Sequence, residues 1–318
     1  MSVQSAPAPL RSLLSFLKDL LPCLLLGFWL GRRYAGLPGQ LAPPLVRYGV
    51  PLSVMGLLLQ GGLSPQVLLA AVIASGAIAS VLLGSSVLPW GRQWLKGPCG
   101  RLGSCVGNTA YFGIPAALAF LPPVALPISI GYDLGATLLM WSLGPLLMAG
   151  DFPMGAGLLR RLWQGLSNSP AFRGLIGALL IQVTPWQESL TQVLWWPSRV
   201  VILLALALVG MRLGVLSLRA VGTSIRWSDL LPVLVGKLLA FPLLVLLIGL
   251  ILRLDPLLMQ ALTLQAAAPT AISVLLIAEA VDCDQELAAS MVMWSTLMAL
   301  ITCPLWGYAL VLVFNTTN

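Results

Sequence analysis

The residues with chemistry to offer are few, and they sit inside long apolar runs. Gly107-Asn108-Thr109 lies near the middle of "RLGSCVGNTAYFGIPAALAFLPP" (101–123), and Gly113-Ile114-Pro115 follows one turn later. Pro269-Thr270 lies at the centre of "LTLQAAAPTAISVLLIAEA" (262–280), one turn after Gln265. Each group joins a helix breaker to a hydroxyl or an amide. A break in a hydrocarbon-embedded helix frees N–H and C=O groups, which is tolerable only where protein or a water-filled cavity supplies partners. The half-helix N-termini at such breaks carry partial positive charge and attract anions, carboxylates above all. The chemistry on offer is therefore binding, with Gly107, Asn108, Thr109, Gln265, Pro269 and Thr270 as candidate substrate residues.

Three charged residues join them. Lys237, in "DLLPVLVGKLLAFPLL", falls near mid-span, where a lipid-facing ammonium is too costly, so it faces inward. It acts either at the substrate or by neutralising interrupted carbonyls. Asp133, in "ISIGYDLGATLL", either takes up a proton, pairs with Lys237, or caps a distorted helix. Glu279 stands at the end of its apolar run beside Asp282 and Asp284, in the position of a wetted helix end. These three form the candidate set for coupling or charge compensation.

The elements that position these groups must be membrane helices. Of 318 residues, 58% are hydrophobic and only 8% charged, against about a quarter charged in soluble domains. Mean hydropathy is +0.96. With so little polar surface, lipid is the solvent for most of the chain. The formal charge of +7 comes in twos and threes between apolar runs rather than as a basic patch with interleaved aromatics, which argues against nucleic acid as a partner. The absence of histidine removes the commonest metal ligand and general base. The five cysteines are scattered without a CxxC pair, no GxxxxGK[ST] loop occurs, and no metal or cofactor is called for. An intramembrane enzyme needs a nucleophile–base pair or clustered carboxylates within a span; none is evident, and the chain reads as a non-enzyme.

A span needs about 20 apolar residues. Ten candidates fall at 13–31, 44–61, 66–89, 101–121, 126–149, 171–186, 197–215, 229–252, 257–280 and 287–313. Placing both termini outside puts Arg32, Arg33, Arg47, Arg92, Lys96, Arg101, Arg160, Arg161, Arg173, Arg212, Arg219 and Arg226 in cytoplasmic loops. Only Arg11, Lys18, Arg199 and Arg253 then lie outside, so the positive-inside rule favours this orientation in the cytoplasmic membrane. Trp186, Trp195, Trp196, Trp227 and Trp306 mostly flank spans, as an aromatic belt does. The two breaker-bearing spans are the fourth and the ninth. Ten spans divide into two fives, and an odd number per half forces the halves into opposite orientations. The expectation is an all-α polytopic protein of ten transmembrane helices in two inverted repeats: residues 1–150, a cytoplasmic linker 151–170, and residues 171–318. Interrupted helices at matching positions of inverted halves mark a transporter binding site.

"VGNTAYFGIP" (106–115) and "AAAPTAISVLLIAEAVDCDQELAASMVMWSTLMALITCPLW" (266–306) resemble the motifs of the auxin efflux carrier family of membrane transporters, and "LALVGMRLG" and "GKLLAFPLL" fit it as well. The resemblance implies broken helices four and nine that cross, a homodimer built on scaffold helices, and a transport domain that moves by rocking or in an elevator-like way. It places Gly107 and Asn108 at one crossover and Pro269 and Thr270 at the other. Plant members carry an acidic and a basic residue in the third helix, whereas "VLLAAVIASGAIASVLLGSSVL" has neither. The expected activity is secondary transport of a small organic anion by alternating access, coupled to protons or sodium. The alternative is a bile-acid-type sodium symporter of organic anions.

Overall fold

The computed structural model describes residues 8–62, 64–150, 160, 163–164, 167–219 and 226–315. It is all-helical, 88% helix, and among the described residues the only extended pairing is an isolated bridge between Gly107 and Thr270. The helices are α1 (Ala8–Arg33), α2 (Leu37–Gly61), α3 (Pro65–Val87), the short α4 (Pro89–Trp94), α5 (Gly97–Cys105), α6 (Thr109–Phe120) and α7 (Leu126–Ala149). They continue as α8 (Pro170–Gln182), α9 (Gln187–Arg219), α10 (Trp227–Ile251), α11 (Pro256–Ala266), α12 (Ile272–Ala280) and α13 (Gln285–Asn315). Six of these, α2, α3, α7, α9, α10 and α13, are long and apolar enough to cross a membrane, and α6 and α8 are shorter apolar helices. Most of the expected linker, namely 151–159, 161–162 and 165–166, lies outside the described residues, as do both chain ends.

Local chemistry explains the ends. Proline opens α3, α8 and α11, where the first N–H has no helical partner to lose. At α11 the Asp255 carboxylate accepts the Leu257 N–H at 2.9 Å. The run expected to be helical over 171–186 stops at Gln182, because Pro185 disfavours the helical conformation at Thr184, whose hydroxyl closes back on the Ile181 carbonyl at 2.7 Å. The next helix begins at Gln187, ten residues before the expected 197, and carries Pro197 inside it.

Three helices contain a five-residue π turn: Leu45–Gly49 in α2, Thr109–Gly113 in α6 and Gly236–Ala240 in α10. Each stands immediately before an X-Pro pair: Val50-Pro51, Ile114-Pro115 and Phe241-Pro242. A proline ring collides with the carbonyl four residues back, and widening the preceding turn moves that carbonyl aside. In α10 the displaced carbonyl belongs to Leu238, and the Trp306 indole N–H donates to it at 2.9 Å. The Trp306 indole N–H is thus engaged within the protein. Trp186 and Trp196 do remain exposed.

Helix packing sorts the chain into two groups. In the first, α1 lies against α9 through small residues. A Cβ added to Gly27 or Gly31 would strike the Ala207 or Met211 carbonyl, and one added to Gly210 or Gly214 would strike that of Leu24 or Phe28. Both registers advance together, so α1 and α9 run parallel. Gly174 and Gly177 of α8 set it parallel to α2 in the same way, while Gly49 and Gly56 set α2 antiparallel to α9. In the second group α3 runs parallel to α7, with Gly131 and Gly135 against Val67 and Ala71, and α5, α6 and α10–α13 pack around them. With lipid outside and inside equally apolar, close van der Waals contact between small residues is the main adhesive. Gly210→Ala therefore loses about 1–3 kcal/mol through overpacking and melts at lower temperature in detergent. Gly76→Ala, with nothing within 4 Å of the new methyl, leaves the midpoint unchanged. Equal melting of the two variants would overturn the glycine seam.

Candidate functional site

Helical order stops between α5 and α6 at Val106–Asn108 and between α11 and α12 at Ala267–Ala271. The two irregular segments lie antiparallel. The Asn108 N–H donates to the Pro269 carbonyl at 2.7 Å, and the Ala271 N–H donates to the Val106 carbonyl at 3.1 Å. Each break thus supplies the partners that the other lacks. Side chains complete the accounting: the Thr270 N–H donates to Ser295 Oγ at 3.0 Å, and the Thr270 hydroxyl donates to the Gly103 carbonyl at 2.9 Å. Gly107 sits in close quarters: a Cβ there would lie 3.2 Å from Lys237 Nζ and 3.4 Å from the Ala268 carbonyl, so the lysine would have to give by a few tenths of an ångström.

This crossing gives the site an electrical polarity. α6 and α12 begin on one side of it, with their positive N-terminal ends, and α5 and α11 end on the other, with their negative C-terminal ends. Asp133 of α7 lies at the start of α6. Its carboxylate accepts from Thr109 Oγ1 at 2.5 Å and also from Thr137 and the Ala110 N–H. Lys237 lies on the opposite side, fully buried, and donates to the Ala266 carbonyl at 2.6 Å. The expected alternative of an Asp133–Lys237 pair is therefore corrected. Among the described residues the ion pairs are Lys96–Asp229 and Arg226–Asp229, while Asp133 and Lys237 are each held by a helix end of opposite sign.

A cavity of about 110 Å³ lies where the two helix groups meet. Gly107, Asn108, Thr109, Asp133 and the start of α12 at Ala271–Ser273 form one wall. Val46, Val50, Val209 and Arg212, from α2 and α9, form the other. The lining reaches toward the starts of α2 and α8, at Ala42 and Pro170, and toward the end of α9 at Arg212. Asn108 Nδ2 is buried without a partner in the chain, and the α12 N-terminus has no side-chain cap. An acceptor held there would meet an amide donor and a positive helix end.

Of the nine residues singled out in the sequence, Gly107, Asn108, Thr109 and Asp133 line this cavity. Pro269 and Thr270 form the crossing itself, one residue behind its surface, with the Thr270 hydroxyl already engaged. Gln265 faces away: it is fully buried behind α6, and any side chain at Gly113 would strike its amide oxygen. Lys237 lies across the crossing from the cavity. Glu279 is exposed at the far end of α12, nine residues along the chain from Thr270. Sequence reasoning missed Arg212, which was counted with the cytoplasmic loop charges although the expected span 197–215 already contains it. α9 continues past it to Arg219, and Arg212 faces the cavity from within the helix. It also missed Ser295 as a site residue, although Ser295 and Thr296 stand together within the quoted 266–306 stretch.

A family model described as membrane transport protein matches residues 153–307. That segment belongs to the auxin efflux carrier family. The family is one of membrane transporters, and the matched part of this chain holds Arg212, Lys237, Thr270 and Ser295, whereas Asn108 and Asp133 precede it. No curated protein matches the chain.

The hydroxyl of Ser295 has a role that can be separated from that of other serines. Ser295→Ala leaves the buried Thr270 N–H unpaired and costs about 1–3 kcal/mol. Ser142→Ala removes only a second bond to helical carbonyls within α7 and leaves stability nearly unchanged. Thermal melts of the two purified variants check this difference; equal midpoints would overturn it.

Proposed function

We propose that the chain is a secondary transporter that carries a small organic anion across the cytoplasmic membrane, with the anion bound in the cavity beside the crossing. The observation that carries this reading is the convergence of the unpartnered Asn108 amide, the uncapped α12 N-terminus and Arg212 on one small, mostly apolar space. The amide and the helix end receive carboxylate oxygens, and the guanidinium on the facing wall balances their charge.

Ten crossings in two inverted halves complete the reading, with α5–α6 and α11–α12 each counted as one interrupted crossing. Helix directions support the count: the first and seventh crossings run parallel, as do the second and sixth and the third and fifth, while the second and seventh are antiparallel. The α1–α9 and α8–α2 pairings are related as a two-fold axis in the membrane plane requires, since that axis exchanges the first crossing with the sixth and the second with the seventh. Alternating access then moves the group holding the crossing against the α1, α2, α8 and α9 group, in an elevator-like way, with a homodimer built on the latter. The cavity lining extends toward the loops rich in arginine, which is the cytoplasmic face if both termini lie outside. Two negative charges in one low-dielectric space repel, so the anion enters most readily when Asp133 carries a proton, and the two move together.

Flux measurements in proteoliposomes test the site. Against a panel of mono- and dicarboxylates, Asn108→Ala and Arg212→Gln each lower the rate roughly ten- to a hundredfold, the equivalent of about 1.5–3 kcal/mol for a hydrogen bond to a charged group. Equal flux in wild type and both variants would remove the anion from this cavity. Flux that requires sodium would favour the sodium-symporter alternative.

A further inference from the structure

Among the described residues Asp133 and Lys237 are the buried charges, and Lys237, which the anion site does not use, has specific surroundings. The π turn before Pro242 carries it, with Gly236 packed against Ser104 of α5. Its ammonium is fully buried, donates to the Ala266 carbonyl at 2.6 Å, and lies 5.0 Å from the centre of the Phe241 ring. It stands near the Ala268 carbonyl, since both crowd the same face of Gly107, and the thiols of Cys105 and Cys303 are titratable groups in its surroundings. α5 ends at Cys105 and α11 ends at Ala266, so two negative helix ends converge where this one cation sits. Irregular carbonyls and half-helix C-termini are the groups that bind coupling cations in transporters with interrupted helices.

We propose that Lys237 is a tethered cation: its ammonium takes the place at the crossing carbonyls that a free inorganic cation would fill, so the crossing closes and the carrier cycles without bound sodium. The electrostatic part rests on the contacts above. The part about cycling rests also on the transport reading.

The test uses the full chain, purified and in proteoliposomes, in sodium chloride or choline chloride at equal ionic strength. Wild type melts at the same temperature and transports at the same rate in both salts. Lys237→Ala melts lower in choline chloride and recovers when ethylammonium or sodium is supplied. Lys237→Met fills the space without the charge, melts lower, and recovers with neither cation. A wild-type flux that falls at least about tenfold without sodium overturns the proposal, as does a Lys237→Met protein that matches wild type in melting and flux, or a Lys237→Ala protein that no cation restores. If both variants fail to fold, the wild-type salt comparison still decides. Cation recovery of Lys237→Ala in a protein that moves no carboxylate would retain the tethered cation and remove the transport reading. Anion flux that depends on sodium would do the reverse.

Discussion

The structure turns on two backbone hydrogen bonds, Asn108 to Pro269 and Ala271 to Val106, made where neither partner has a helix to belong to. In water such a break is cheap, because solvent takes up the freed groups. In hydrocarbon each unpaired N–H or C=O costs several kcal/mol, so a break must find its complement or not form at all. One interrupted segment cannot meet that demand alone. Two crossing antiparallel can, and the hydroxyls of Thr270 and Ser295 absorb what remains. The crossing is thereby tied to α5 through Gly103 and to α13 through Ser295, so it holds its shape as part of a packed group of helices.

From that crossing follows the electrical layout. Four helix ends meet within a few residues, two positive and two negative, and the chain places one charged side chain against each sign: Asp133 at the start of α6 and Lys237 at the ends of α5 and α11. These residues lie far apart in sequence and do not touch. Each is held by a helix end, which makes a buried charge tolerable without a salt bridge. The start of α12 keeps no side-chain cap, and it is there that the cavity lies. Arg212 faces the cavity from the other helix group, on a wall also lined by valines.

The prolines connect local sequence to this arrangement. A π turn stands just before each of Pro51, Pro115 and Pro242, and each π turn rotates the preceding residues relative to a regular helix. In α6 this turn holds Thr109 against Asp133; in α10 it carries Lys237 to the crossing. A kink that looks like damage on a helical wheel is what aims the charge.

Much of this was legible in the residues themselves. Composition determined that lipid is the solvent, and the breakers in 107–109 and 269–270 marked where helical order stops, because proline and glycine act on their own backbone. Asn108 and Asp133 were recognisable for the same reason: a polar group in an apolar run must be held by something. What held each one was not legible, since helix ends, π turns and facing helices are long-range neighbours. Gln265 lies one turn from the break yet faces Gly113, and Arg212 resembles a loop charge yet faces the cavity, because helical phase and the packing of distant helices decide where a side chain points. The sequence alone determined which groups needed partners; the tertiary structure decided which partners they met, because in a bilayer no water stands ready to satisfy them.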